Sequence, residues 1–244
     1  MSNIRADSPS PRRSATRRLP SGISILHEDS DIIVVEKPAG LLTIGTERDK
    51  TRTLHTFLND YVRKGDPRSG NRVYIVHRLD RETSGILLFA RSEAAKMFLQ
   101  KSWEETEKSY LAVVHGSISP KEGEIISYLR ENSAFSVYST PDRFQGKLSR
   151  TEYKVLKETK GLCLLEIHLL TGRKHQIRVH LSEKGHPVVG DRRYGKVGDS
   201  SPTLALHSRS LSFTHPVTGK RMSFTTGLPE SILRLVGSPG VELP

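Results

Sequence analysis

With 244 residues the chain is long enough to bury a full core, as one large domain or two small ones. No run nears the roughly 18 consecutive apolar residues that cross a bilayer, and a hydrophobic share of 35% suits a soluble globular protein. Thirty-eight Lys and Arg against 27 Asp and Glu leave a net charge of +11. That balance favours a polyanionic partner, since each phosphate neutralised releases counterions, but it names no substrate. The one cysteine, Cys163, sits in the apolar run Gly161-Leu-Cys-Leu-Leu165 and reads as a small buried hydrophobe. An internal disulfide is excluded, and a reducing cytoplasm fits.

Met1 to Gly22 hold five Arg, one Asp and three Pro among many Ser, so this segment is expected to be a disordered basic arm over residues 1–22. An organellar transit peptide is the weaker alternative, because three prolines and no apolar stripe oppose an amphipathic helix. The arm carries +4 (five Arg minus Asp7), which leaves +7 on residues 23–244, expected to form the folded domain. Ile23 to Leu26 and Ile32 to Val35 predict a hairpin across His-Glu-Asp-Ser-Asp. Thr53 caps a predicted helix bearing Leu54, Phe57, Leu58, Tyr61 and Val62 on one face. Short strands are predicted over Tyr74 to Val76 and Gly85 to Ala90, then a helix from a Ser92 cap to about Trp103. Strands follow at Tyr110 to His115, Glu124 to Tyr128, Phe135 to Tyr138, Thr151 to Leu156 and Leu162 to Leu170. A helix over Arg173 to Lys184 is stopped by Gly185 and Pro187. Late strands at Leu204 to Phe213 and Met222 to Thr225 precede a closing helix, Glu230 to Val236. Strands outnumber helices, which favours an α+β fold with a mixed, largely antiparallel sheet and flanking helices.

Chemistry concentrates in Val76-His-Arg-Leu-Asp-Arg-Glu-Thr-Ser-Gly85, between two predicted strands. Five of its positions, His77, Arg78, Asp80, Arg81 and Glu82, titrate or carry charge beside a buried-looking strand, which suits a site on a rigid scaffold. On chemistry alone the run reads equally as a solvated loop in which Asp80 caps a turn and pairs with Arg78. The single signal does not decide.

The segment His77-Arg-Leu-Asp-Arg-Glu-Thr-Ser-Gly85 resembles the signature of the RluA family of pseudouridine synthases. Asp31-Ile-Ile-Val-Val-Glu-Lys-Pro-Ala-Gly40 is similar to that family's opening segment, and Lys108-Ser-Tyr-Leu-Ala112 to its tyrosine motif. Gly146-Lys-Leu-Ser-Arg-Thr151 with Tyr153 comes next, then Leu170-Thr-Gly-Arg-Lys-His-Gln-Ile-Arg-Val-His180. Gly185-His-Pro-Val-Val-Gly-Asp191 with Tyr194-Gly195, and Leu206-His207 with His215-Pro216-Val-Thr-Gly219, complete seven elements in family order. They run from about Ile23 to Pro229.

The resemblance implies a bent sheet of that family's catalytic fold and an RNA partner, ribosomal or transfer. It also implies a reaction that breaks the N1–C1′ bond of uridine, turns the uracil and rejoins it through C5, with no cofactor or metal. Asp80 matches the catalytic carboxylate, as nucleophile, base or stabiliser of charge at the anomeric carbon. Arg178 matches the arginine that pairs with it, its fork fixing charge and orientation. Tyr110 matches the tyrosine that stacks on an extruded base or takes its C5 proton. Arg78 resembles the arginine that fills the space a flipped base leaves or binds its phosphate, while Lys37, His77, Arg173, Lys174 and His175 are expected to line the RNA groove through phosphates. A monomer is expected.

Other chemistries find little support. His175 and His180 are five apart, against the four of a helical zinc pair, and no cysteine cluster exists. Thr83-Ser-Gly85 lacks the first glycine of a serine-hydrolase elbow. The rival class is a non-catalytic RNA-binding module on the same fold. Thr203, Ser208 and the stretch after Gly40 depart from the usual pattern, and as rim and loop positions they bear on target choice.

Overall fold

The computed structural model describes residues 19–45, 49, 51–66 and 68–237. The basic arm expected over residues 1–22 thus lies mostly outside the described residues. Strands β1 (Ser24–Glu28) and β2 (Ile32–Lys37) form the expected hairpin. Asp29 turns it, its Oδ1 accepting from the amides of Asp31 and Ile32 at 2.8 and 2.9 Å. Helix α1 (Leu54–Val62) starts where Thr53 predicts, with the Thr53 hydroxyl accepting from the Thr56 amide, and it buries Leu54, Leu58 and Val62. After β3 (Tyr74–Ile75) and β4 (Ser84–Ala90), α2 (Glu93–Lys101) begins at the Ser92 cap and gives way to a 3₁₀ turn over Trp103–Glu105.

The next block is all strand: β5 (Glu107–His115), β6 (Glu122–Glu131), β7 (Val137–Thr140), β8 (Lys147–Thr159) and β9 (Leu162–Leu169). Strand β7 starts two residues later than expected because Phe135, at φ 58°, belongs to the preceding turn and donates to Asn132 O. Helix α3 spans only Gln176–Glu183, followed by β10 (Leu206–Thr214), β11 (Arg221–Thr225) and α4 (Glu230–Val236). The expected start of α3 at Arg173 is corrected by His175, a left-handed residue at φ 55°. Gln176 explains the late start. Its buried amide accepts from Thr171 Oγ1 and the Arg173 amide and donates to Arg150 O and Thr151 Oγ1, so tertiary bonds override helix propensity.

Among the described residues eleven strands join one sheet, ordered β1-β2-β4-β10-β5-β9-β8-β6-β7, with β3 on β4 and β11 on β10. Every pairing is antiparallel except β4 with β10, where His207 faces Ser84 and Ser208 faces Gly85. Strands β2 and β4 are apolar on both faces. Ile33, Val35, Leu87 and Phe89 pack into the main core with α1, while Ile32, Val34, Ile86 and Leu88 meet Ala95 and Leu99 of α2. Among the described residues no helix is long and apolar enough to cross a membrane.

Two tests follow from this packing. Gly85 holds φ +113°, and a Cβ there would lie 2.1 Å from Ser208 O. Gly85→Ala should lower the unfolding free energy by about 3 kcal/mol or more in urea titrations. Buried His180 and His207 are tied at both ring nitrogens to hydroxyls, and burial pushes each down to about 4. Unfolded imidazoles take up protons near 6.5, so the unfolded chain binds more protons between that value and about 4. Stability should therefore fall as pH drops through this window. Equal urea midpoints at neutral pH and near the bottom of the window would contradict it.

Candidate active site

The loop joining β3 to β4 is fixed along its length. Thr43 Oγ1 donates to Leu79 O at 2.8 Å, Gly40 N donates to Arg81 O at 2.9 Å, and Thr83 N closes a turn on Asp80 O at 3.2 Å. Ser84 Oγ pairs with His207 Nδ1 at 2.9 Å across the parallel contact. Side chains on such a loop inherit the rigidity of the sheet.

Asp80 projects from it into a pocket lined also by Arg78, Tyr110, Arg173, His175 and Arg178. Arg178 Nη1 donates to Asp80 Oδ2 at 2.9 Å, and His175 Nε2 lies 3.7 Å from the same oxygen. Asp80 therefore does not depend on Arg78, the pairing that a solvated loop would have offered. Its side chain keeps 20% of its exposure, against 10% for Arg178. Arg178 stands on the first turn of α3 and continues to Asp191, with Nε to Oδ2 at 2.7 Å and Nη2 to Oδ1 at 2.8 Å. Burial disfavours the guanidinium charge, but Asp191 and then Asp80 hold it above the ordinary arginine range. Burial likewise works against ionised Asp191, and the bonds and charge of Arg178 pull its carboxyl below the usual value.

Two aromatic groups complete the cleft. Tyr110 is buried on β5, and burial pushes its phenol up to about 12, so it meets neutral solution un-ionised. His175 bonds Tyr194 Oη through Nδ1 at 2.8 Å, and Tyr194 Oη also accepts from the Val137 amide. Burial pushes the His175 imidazole down to about 4 against the pull of Asp80. A neutral ring whose Nδ1 accepts from Tyr194 turns its Nε2–H toward Asp80.

The structure thus brings Asp80, Tyr110, Arg178, Arg78, Arg173 and His175 to one pocket. Lys174 stands beside it, paired with Glu131. Two expected groove residues are elsewhere. Lys37 is fully buried, and its Nζ donates to Pro38 O, Leu41 O and Arg81 O at 2.8–3.1 Å. Those three acceptors use all three donors of an ammonium, so none is left for a phosphate. Burial also pushes Lys37 down to about 7. His77 is turned inward: its Nε2 accepts from the Leu88 amide at 3.1 Å and its ring lies 4.4 Å from that of Trp103. Both hold the loop from behind. Ser208 is not a rim position either, being 2% exposed and in hydrogen-bond contact with Tyr110.

Asp191 closes the motif Gly185-His-Pro-Val-Val-Gly-Asp191, and the resemblance implies no role for it. Its signal lies in the glycines around it. Gly190 holds φ +76° with Thr203 O 2.0 Å from where a Cβ would stand, and a Cβ at Gly195 would meet Asp191 O at 1.8 Å.

The profile of the RNA pseudouridylate synthase family matches residues 31–183. The chain is 36% identical over 233 residues to ribosomal large subunit pseudouridine synthase D of Neisseria meningitidis, covering 89% of this chain and 61% of that protein. It is 32% identical over 246 residues to tRNA pseudouridine synthase C of Haemophilus influenzae, covering 90% and 99% of the two chains. The solved structure of human RNA pseudouridylate synthase domain containing 1 superposes with a TM-score of 0.68 at 28% identity, over 89% of this chain and 86% of that one. Sequence and architecture agree, and in keeping with the RluA-type likeness of its motifs the chain belongs to the RNA pseudouridylate synthase family.

Proposed function

We propose that this chain isomerises uridine to pseudouridine in a structured ribosomal or transfer RNA, with Asp80 as the catalytic carboxylate. The observation that carries this reading is the Asp80–Arg178 pair, 2.9 Å apart at the pocket wall. A carboxylate hydrogen-bonded to a guanidinium that is itself out of water suits an anomeric carbon that gains positive charge as the N1–C1′ bond breaks. The freed uracil turns and bonds through C5. Its C5 proton leaves and N1 gains one, so atoms and electrons balance without an oxidant, metal or cofactor.

Tyr110 offers its ring as a stacking plane for the extruded base. With its phenol near 12, it acts first as a neutral aromatic, and as a base toward C5 only by giving up its own proton in the same step. Arg78 and Arg173, both exposed at the pocket mouth, suit phosphate contacts that place the strand without reading its sequence. The protein is proposed to act as a cytoplasmic monomer, with the basic segment over residues 1–22 adding non-specific affinity.

Incubation with RNA carrying tritium at C5 of uridine should release tritium with wild type. Asp80→Asn should lose about 1,000-fold or more in rate while still binding the RNA. Equal release by the two would remove Asp80 from the chemistry, and no release by either would leave only a binding module. Deleting residues 1–22 should weaken RNA affinity and flatten its dependence on salt; an unchanged slope would exclude a role for that segment in binding.

A further inference from the structure

Arg178 is shared unequally between two acids. Nε and Nη2 grip Asp191 at 2.7 and 2.8 Å, whereas a single nitrogen, Nη1, reaches Asp80. Asp191 has the better-fixed side chain, at 0% exposure against 20% for Asp80. Its Oδ1 also accepts the amides of Arg193 and Tyr194 at 2.9 and 3.0 Å. The backbone closes on it from both sides through the contacts at Gly190 and Gly195. The Tyr194 ring centroid lies 5.2 Å from the guanidinium carbon.

We propose that Asp191 is the positioning residue of the reaction, holding Arg178 so that it offers Asp80 one hydrogen bond and no more. This rests on the reading of Asp80 as the catalytic carboxylate. A guanidinium left with one carboxylate tends to close its fork on both oxygens. With Nε and Nη2 occupied by Asp191, Arg178 contacts only Oδ2 of Asp80, and Oδ1 stays outside the guanidinium's grip. Asp191 thereby fixes which face of the catalytic acid remains open, and it does so through Arg178 without touching substrate. The formal charges of the three groups sum to minus one, so Arg178 alone does not offset both acids.

The test is a double-mutant cycle on tritium release with Asp191→Asn, Arg178→Met and the pair. Asp191→Asn should lower kcat about 100-fold with KM for the RNA essentially unchanged. In the Arg178→Met background the same change should cost little, because its effect runs through Arg178. Additive losses, or an unaltered kcat, overturn the proposal. A second measurement avoids the risk that changes at a buried acid unfold the chain. In nitrogen-15 spectra of wild type and Asp80→Asn, the Arg178 Nε–H should exchange slowly in both, since Asp191 retains its hold. Loss of that signal in Asp80→Asn would show Asp80 to be the anchor and overturn the proposal. Wild type inactive on uridine RNA would instead refute the isomerase reading, and the spectra would still decide whether Asp191 holds Arg178.

Discussion

The cleft depends on one cation that cannot be neutralised. Arg178 is nearly buried, and a guanidinium keeps its proton at any pH the fold survives, so its surroundings must supply negative charge. Two carboxylates do so, from segments far apart in sequence: Asp80 before β4 and Asp191 after α3. Such buried pairs add little net stability once desolvation is counted. What they supply is orientation, since each acid engages its own nitrogens of one rigid guanidinium. The short α3, the left-handed His175 and the Gln176 staple are intelligible as the means of placing Arg178 on the first turn, between the two loops.

The sheet provides the other half of that placement. The parallel pairing of β4 with β10 lies where the Asp80 loop ends, and Gly85 permits the close approach to Ser208. Behind the loop, Lys37 gathers three carbonyls and His77 caps the Leu88 amide. These polar groups keep backbone atoms satisfied where no water reaches, which would otherwise cost about 1–3 kcal/mol each. They act on the site by making its scaffold stiff.

Local signals made much of this legible in the chain. The Thr53 and Ser92 caps, the apolar runs of β2 and β4 and the turn at Asp29 are short-range features, and each stands where the sequence predicts. Direction was harder to read. Lys37 in the opening segment and His77 in the signature are polar members of family-like motifs, and residue type alone turns them toward RNA. Yet Lys37 falls two residues beyond Val35 and four beyond Ile33, on the core face of β2 by simple alternation. Asp191 failed for the opposite reason. An acid between Gly190 and Arg192 looks solvated, and only the path of the chain after α3 shows that it lies under Arg178.

A polyanion must be brought to a carboxylate in the proposed reaction, and the charge layout meets that conflict by depth. At the mouth stand exposed Arg78 and Arg173, which favour phosphates. Inside the pocket, His175 and Tyr110 are uncharged at neutral pH, because burial lowers the imidazole and raises the phenol. Beside them stand Asp80, Asp191 and Arg178, whose formal charges sum to minus one. A strand held by the rim would keep its phosphates outside while a nucleotide swung inward meets the aromatic rings and the acid together. A carboxylate at the mouth, in place of those arginines, would repel the same strand before any base could leave its stack.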